Sequence, residues 1–514
     1  MRVKHVSQWW MVASLALFGL GAAAPEGTLV QALKDGNTNV ARTLVQQGFD
    51  VNAAQPDGTT ALHWAAHLNN LEGADLLIRA GAKVQAANRY GATPLWEACI
   101  NGNAAMIERL LKAGADPNTT MAEGDTALMT TARSGNVDAV KMLLAHGADV
   151  HARERWKGQD ALMWAAARND AATVQALIAA GADIQARTKY RRVPPAPIIP
   201  TPTGSARTTR GNGVHLDATS QAGFTPLLFA VRAGALDAVR VLLKAGASPN
   251  DTLADGASAL VLAVGSTHYE LAAFLLDQGA DPNAAAQGWT ALHQVIWTRR
   301  PNIGSNNPGP VPRDTLDSLA FVKTLLSKGA NINAPVTKDA DVGIVGRRRY
   351  SDVGATPFWV AAETLDLPMM RLLAANGADA LRPNVNGTTP LVAAAGIGIE
   401  MPGENPGTPE LVTEAVKLAL ELGADPTAVD VNGNTALHGV AIWGSNAALR
   451  LLVAAGAKLD VINQCGWLPW DIANGVAYDG NLVGSHKDTA DLLRQLMEER
   501  GLWRAPAPAR PCGA

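Results

Sequence analysis

Two histidines are the first residues in this chain whose spacing could do chemistry. His63 and His67 are four residues apart, so a helix would place both imidazoles on one face, where they could hold a metal ion. No third ligand with a suitable spacing accompanies them. The chain also contains no Gly-x-Ser-x-Gly, P-loop, His-Glu-x-x-His or Cys-x-x-Cys-His motif. The sequence therefore predicts no catalytic residue, no metal and no cofactor, and we do not expect an enzyme.

The three cysteines, Cys99, Cys465 and Cys512, do not form the framework typical of a small secreted domain. Cys99 lies in an apolar segment that is predicted to be helical, so it is interpreted as a buried small hydrophobe. Cys465 and Cys512 could form a bridge in an oxidising compartment. The spacing alone establishes no geometry, so the bonded and the free state both stay open.

Residues 1–24 have the composition of an export signal. Arg2, Lys4 and His5 form a positively charged start, residues 9–20 are mainly apolar, and small residues at 21–24 offer a cleavage site. We expect this segment to be removed from a periplasmic or secreted protein, with no membrane insertion after cleavage. An uncleaved membrane anchor is the alternative interpretation.

A repeated motif, Gly-x-Thr-(Pro/Ala)-Leu, sets the positions of His63, His67 and Cys99 in the fold. It returns every 32 to 34 residues wherever it is uninterrupted. Its glycines, including variants of the motif, are Gly58, Gly91, Gly124, Gly158, Gly223, Gly256, Gly288, Gly354, Gly387, Gly433 and Gly466. The Thr can cap a helix, and the Pro suits a first helical position. A later Leu-Leu-Lys-Ala-Gly segment, as at 110–114, ends a second helix. The period predicts a stacked array of helix pairs.

This pattern resembles the ankyrin repeat, whose consensus carries Thr-Pro-Leu-His-x-Ala and Gly-Ala-Asp-x-Asn. The match is close at residues 290–293 and 279–283. The resemblance implies an all-α solenoid of paired antiparallel helices with β-hairpin-like fingers, across residues 25–502, with about 12 repeats including the caps. Residues 26–57 are interpreted as the N-terminal cap, and residues 466–473 as the start of the last repeat.

The resemblance also implies roles for single residues. The imidazoles at the consensus His position, which tie neighbouring helix starts together by hydrogen bonds, are those of His63, His293 and His438. Four tryptophans that closely follow the apolar residue of the motif are interpreted as core packing: Trp64, Trp96, Trp164 and Trp359. Asp160 and Leu468 replace the consensus Thr, and we expect both replacements to weaken the helix caps.

Four insertions interrupt the period. Two lie in fingers, at about 190–222 and 334–353, and two lie between paired helices, at about 299–313 and 396–408. Long irregular loops are commonly functional or disordered, and the sequence leaves both readings of the finger loops open. Residues 503–514 form a Pro/Ala-rich tail that is predicted to be disordered.

Aromatic and arginine residues recur about one helical turn beyond the motif, at positions that face a concave groove in the family. The candidate partner-binding residues are His67, Ile100, Arg133, Arg168, Arg232, Trp297 and Trp443 on the helices, with Trp156 and Trp289 at the fingers. Trp and Arg side chains are typical anchors of protein interfaces. The sequence leaves equally open the alternative that these side chains only cover neighbouring repeats.

The charge balance narrows the choice of partner. The net charge is −3 and the pI is about 6.4, which gives no basis for nucleic-acid binding. We expect an exported, monomeric, non-enzymatic scaffold that binds a protein partner, of unknown identity, through its concave groove and fingers. Two alternatives stay open. One is an enzyme whose site lies in the insertion loops, and the other is a binder of an acidic polysaccharide, because residues 187–216 carry six Arg or Lys and no acid.

Overall fold

A computed structural model describes residues 28–189, 223–300, 311, 314–338, 351–398, 407–475 and 485–503 of the 514. This part of the chain contains 24 helices, which follow one another as twelve pairs, and it contains no strand. The all-α class and the expected number of repeats are therefore confirmed. The proposed export signal, residues 1–24, and nearly all of the proposed tail lie outside the described residues, as do most of the insertions.

The chain divides into two compact units. Unit 1 comprises residues 1–187 and 237–245, and unit 2 comprises residues 188–236 and 246–514. The helices of unit 1 are α1 (Leu29–Lys34), α2 (Thr38–Gln46), α3 (Ala61–His67), α4 (Leu71–Arg79), α5 (Pro94–Asn101), α6 (Ala104–Lys112), α7 (Ala127–Ser134), α8 (Val137–Ala145), α9 (Ala161–Ala167), α10 (Ala171–Ala179) and, except for its first residue, α12 (Leu236–Lys244).

Unit 2 contains the remaining helices. They are α11 (Pro226–Ala233), α13 (Ala259–Gly265), α14 (Tyr269–Asp277), α15 (Ala291–Arg299), α16 (Ser318–Ser327), α17 (Pro357–Glu363), α18 (Leu367–Ala375), α19 (Pro390–Ala395), α20 (Pro409–Glu421), α21 (Ala436–Trp443), α22 (Asn446–Ala454), α23 (Pro469–Ala473) and α24 (Lys487–Glu499). The helix that begins at the Gly-x-Thr motif is the first helix of its repeat. Within each unit, the first helix of a repeat packs on the first helix of the next, and the second helices form a layer of their own.

The first helices begin as the motif predicts. The Thr93 hydroxyl accepts the backbone N–H of Trp96 at 3.2 Å, and Pro94 occupies the first helical position. The expectation of a weak cap at Asp160 is wrong, because its carboxylate accepts the N–H of Met163 at 2.9 Å and Asp caps helices as well as Thr does. Leu468 offers no acceptor, and the Asp471 carboxylate instead accepts the Leu468 N–H at 2.7 Å.

Buried histidines join successive repeats. His63 Nδ1 accepts the Thr60 N–H at 3.1 Å, so Nε2 carries the proton and donates to the Ala92 carbonyl of the next repeat at 3.0 Å. His293 and His438 make the same bridges to Ala355 and Trp467. Burial lowers the pKa of both imidazoles to about 4. These contacts agree with the structural role that the resemblance implies.

Backbone hydrogen bonds join the residues on the two sides of each finger insertion. The Thr188 N–H donates to the Phe224 carbonyl at 3.0 Å, and the Gly223 N–H returns to the Thr188 carbonyl at 3.2 Å. At the second insertion, the Val336 N–H donates to the Ala355 carbonyl at 2.9 Å. Uninterrupted fingers close with the same kind of backbone bond across four residues. Each insertion therefore replaces the tip of a finger and leaves its base intact.

The cysteines have different states. Cys99 is free and fully buried, as expected, and burial raises the pKa of its thiol to about 12. Cys465 is disulfide-bonded. Cys512, with which the sequence leaves a bridge open, lies outside the described residues.

Candidate protein-binding surface

Two parts of unit 1 hold exposed anchor residues. The first, here called the helix stripe, consists of Trp64, His67, Ile100, Arg133, Trp164 and Arg168. The second, here called the finger platform, consists of Arg89, Tyr90, Arg155, Trp156 and Lys157. The stripe residues lie three or four positions apart on each first helix, or at matching positions of successive first helices, so they share a face.

The N-terminal half of the helix stripe is a linked aromatic and charged cluster. His67 Nδ1 lies 2.9 Å from the Glu97 carboxylate of the next repeat, and both side chains are partly exposed. This hydrogen bond raises the pKa of His67 above its ordinary value. The Trp64 ring meets the His67 ring edge-on at 5.8 Å, and the Lys34 ammonium lies 5.1 Å from the centre of the Trp64 ring.

The C-terminal half of the stripe is formed by two arginines. The Arg133 guanidinium lies 5.4 Å from the centre of the Trp164 ring, a cation–π distance. Arg168 follows α9, and its guanidinium lies beside Gly135, the residue that ends α7. It therefore faces the carbonyl end of that helix, where a positive charge is favourable. Ile100, one repeat earlier, exposes 41% of its surface.

The finger platform is held by a buried carboxylate. Glu154 accepts the backbone N–H groups of Trp156, Lys157 and Gln159, and is itself buried. Trp156, at the tip of this loop, is 60% exposed. Because the carboxylate fixes the loop, an exposed indole is presented in an ordered backbone.

The sequence contains a signal for this loop that the repeat motif alone does not reveal. In other fingers an Asn or Asp holds the turn: Asn88 accepts the N–H groups of Tyr90 and Ala92, both at 3.0 Å. The spacing from Gly124 to Gly158 is one residue longer than the usual 33. The Glu154 N–H correspondingly donates to the carbonyl five residues later, at Gln159, and the longer Glu side chain spans the extra residue.

The arginines and tyrosine of the platform were not predicted from the sequence either. The Arg89 guanidinium lies 4.7 Å from the centre of the exposed Tyr90 ring. The Arg155 N–H donates to the Glu123 carbonyl of the preceding finger at 2.8 Å. An open depression lies between these fingers, with Arg89, Tyr90, Glu123 and Arg155 among its lining residues.

The three tryptophan candidates in unit 2 are more enclosed, whereas Arg232 is exposed. Trp289 and Trp297 meet edge-on at 5.7 Å, and both are partly buried. The Trp289 Nε1 donates to the Gln294 amide oxygen at 2.9 Å.

The other two candidates of unit 2 lie against neighbouring side chains or segments. The Arg232 guanidinium lies 4.5 Å from the centre of the Phe224 ring; although the residue is exposed, the partial desolvation of its guanidinium beside this ring lowers the pKa of the arginine. Trp443 is only 5% exposed, and its ring is packed against Gly396 and Gly407, at the two ends of the 396–408 insertion. The register of the repeat predicts that Trp443 faces a groove; in the structure it is buried, and the two described ends of the insertion contact its ring.

The interpretation of four tryptophans as core is half right. Trp96 and Trp359 are buried, and the Trp359 Nε1 donates to the Thr388 carbonyl of the next repeat at 2.7 Å. Trp64 and Trp164 stand one residue later in the motif and are partly exposed. One residue turns a helical side chain by about 100°, which moves these two rings from the core to the helix stripe.

Within the described residues, no group of three or more His, Cys, Asp and Glu side chains is placed to hold a metal ion. No helix in the same part of the chain is long and apolar enough to span a membrane. The chemistry that this surface offers is recognition by aromatic faces, guanidinium groups and backbone.

Comparison with known proteins agrees with this architecture. A family profile described as "Ankyrin repeats (3 copies)" matches residues 29–121, 95–188, 209–286 and 227–305. A profile described as "Ankyrin repeat" matches residues 432–464. The chain belongs to the ankyrin repeat family. Arrays of this family act in general as protein-binding scaffolds.

Three relatives illustrate how far the similarity extends. The ankyrin repeat chain is 26% identical over 266 residues to the Arabidopsis thaliana E3 ubiquitin-protein ligase KEG, covering 50% of this chain and 14% of that protein. It is 32% identical over 250 residues to human Ankyrin repeat and SOCS box protein 16, covering 48% of this chain and 47% of that protein. It is 46% identical over 50 residues to Protein PhlB of Serratia liquefaciens, covering 10% of this chain and 22% of that protein. The chain thus spans less than half of each of these relatives.

Proposed function

We propose that this ankyrin repeat protein is an exported, non-enzymatic scaffold that binds a protein partner through a groove formed by the helix stripe and through its fingers. The observation that carries the proposal is Trp156, which is 60% exposed on a loop held by the buried Glu154. A large exposed indole in an ordered loop is the typical form of an interface anchor. Because the loop is already fixed, binding would cost little conformational entropy.

The helix stripe supports the same proposal. The stripe residues lie on four consecutive first helices of unit 1, or directly after the last of them, so an elongated partner can contact several repeats together. Ile100 and the partly exposed Trp164 provide apolar area, and the arginines provide charge. In unit 2, Trp297 and Trp289 stay candidate anchors, whereas Trp443 is buried.

Export is the second part of the proposal. It is supported by the composition of residues 1–24 and by the disulfide at Cys465, because stable disulfides form mainly in oxidising compartments. We expect the cell-derived protein to begin at about residue 24 or 25, which mass spectrometry of its N-terminal peptide would show. A cytoplasmic protein that retains Met1 would contradict export without affecting the binding proposal.

Site-specific photo-crosslinking tests the binding proposal. A photoreactive amino acid at position 156 of the full chain should capture a discrete protein in intact cells. The same group at Lys141, an exposed residue of the second-helix layer, is the matched control and should capture markedly less. If both positions give the same pattern, or if position 156 captures no protein, the finger platform is not a binding surface.

A further inference from the structure

Arginines on the two faces of unit 1 have different partners. On the second helices, Arg42 pairs with Glu72, and Arg109 lies 3.0 Å from Asp75 of the neighbouring repeat. On the helix stripe, neither Arg133 nor Arg168 has a carboxylate within 4.0 Å among the described residues. Both arginines are exposed. The stripe therefore carries charge that the described part of the fold does not pair.

The acidic residues near the stripe are already engaged. Glu97 binds His67, and the Glu154 carboxylate accepts loop N–H groups. Asp160 is buried and caps α9. Asp125 is the acid that interacts with Arg133 at longer range, and its burial raises its pKa. Lys34, which lies on Trp64, Arg133 and Arg168 are exposed, whereas these four acids are buried or partly buried, so the exposed charges of the stripe are positive.

The spacing of the two arginines limits what could pair with them. Arg133 belongs to α7, and Arg168 directly follows α9, the next first helix of the layer. Packed helices lie roughly 8–10 Å apart. A polyproline II segment has three residues per turn and advances about 3.1 Å per residue, so side chains three positions apart lie on one side of it, roughly 9 Å from each other. Two acidic residues at this spacing would therefore reach one guanidinium each. The Trp164 ring, which the Arg133 guanidinium contacts, and the Ile100 side chain offer apolar contact beside the two arginines.

We propose that the helix stripe of unit 1 binds an acidic segment of a partner protein in a polyproline II conformation, with carboxylates about three residues apart paired to Arg133 and Arg168. This inference rests on the proposed function and names the chemistry of the partner. Guanidinium–carboxylate pairs of this kind are directional and are weakened by salt when exposed. Arg133 is held over Trp164, so part of its side-chain entropy is already lost before binding.

The test uses the full mature chain and a labelled peptide in which Glu-Val-Thr is repeated four times. A peptide of the same composition with its four Glu contiguous tests the spacing, and Lys-Val-Thr repeated four times tests the sign of the charge. We expect fluorescence anisotropy to show binding of the first peptide, weaker binding of the second and none of the third. Replacing both arginines, Arg133→Glu and Arg168→Glu, should weaken binding at least about tenfold, as reversal of paired interface charges does.

The control is Lys141→Glu, which makes on α8, in the second-helix layer, the same charge change as either arginine substitution alone. It should bind like the wild type. All variants should keep the wild-type helix content, and the arginine variant should show only a small fall in the unfolding midpoint, because Arg168→Glu places a negative charge at the carbonyl end of α7. Absence of binding by the Glu-Val-Thr peptide overturns the proposal. So does equal weakening by Lys141→Glu, or retention on heparin without binding of any peptide, which would indicate an acidic polysaccharide instead.

Photo-crosslinking at position 156 separates this inference from the function on which it rests. If a protein is captured there but its binding is unchanged in the Arg133→Glu and Arg168→Glu variant, only the proposed chemistry is wrong. If nothing is captured at position 156, the scaffold function fails, whatever the peptides do.

Discussion

Neighbouring positions of the first helix show how a single residue decides between core and surface. Trp359 stands directly after the motif's apolar residue and is 2% exposed. Trp164 stands one residue later, and its ring contacts the Arg133 guanidinium on the helix stripe. The sequence shows both tryptophans near the same motif. The distinction between them could have been made from the helical period alone, because the two positions point about 100° apart.

Alanine substitutions should separate these two environments. Trp359→Ala should lower the free energy of unfolding by ~3–5 kcal/mol, because it opens a cavity and removes the bond to Thr388. Trp164→Ala should cost less, on the order of 1 kcal/mol, since its ring is partly exposed. Urea unfolding of both variants measures the difference. Equal losses would mean that Trp164 is core after all.

The buried histidines should make stability depend on pH. Because burial lowers the folded-state pKa of His293 and His438 to about 4 from 6.5, the unfolded chain binds more protons between these values. Their contribution is complete above about pH 6.5 and is lost as the pH falls, by up to about 1.4 kcal/mol per pH unit for each histidine. In urea titrations, His438→Gln should show a shallower decline than the wild type. An unchanged slope would show that His438 does not titrate on unfolding in this range.

At the scale of elements, the fingers were the hardest part to predict. The Gly-x-Thr motif indicates where each first helix begins, and the structure places helices at these positions. It does not show how a finger closes. Glu154 stands where other fingers have Asn, and one extra residue precedes Gly158. How these two changes fit together can be seen only from the hydrogen bonds of the loop. For the same reason, Tyr90 and Arg155 were not predicted as candidate anchors.

Removal of the Glu154 carboxylate should loosen the finger without unfolding the repeats. Glu154→Ala leaves the N–H groups of Trp156, Lys157 and Gln159 without their acceptor, and each lost bond of this kind costs roughly 1 kcal/mol. Limited trypsin digestion should then cleave after Arg155 or Lys157 faster, by about tenfold for each 1.4 kcal/mol lost from local stability. Glu123→Ala, on the neighbouring finger, is the control. If cleavage at 155 and 157 is unchanged, Glu154 does not hold the loop.

The first finger insertion should be removable. Its base is closed by Thr188 and by Phe224, whose N–H also donates to the Thr188 hydroxyl at 2.9 Å. Deleting residues 193–212 leaves this base in place, and a shorter loop changes closure entropy only slightly. Circular dichroism should show the same helix content and a similar melting temperature. A large loss of either would mean that the deleted segment supports the fold.

At the scale of the whole molecule, the repeat period allowed the fold class and the twelve helix pairs to be predicted. Local signals recur in register, so each supports the others. The division into two units was not predicted, because it depends on long-range contacts that no motif encodes. The burial of Trp443 escaped prediction for the same reason: its neighbours come from an insertion 36 to 47 positions away.

The central claim is that this ankyrin repeat protein binds its partner through the finger platform and helix stripe of unit 1. The most direct measurement is the affinity of the mature chain for the protein captured at position 156, by calorimetry with wild type and Trp156→Ala. We predict a loss of ~2 kcal/mol or more, as for a central interface anchor, with an unchanged melting temperature. Phe49→Ala, which removes another exposed aromatic ring of unit 1, should have no effect. Equal affinities for wild type and Trp156→Ala would contradict the claim.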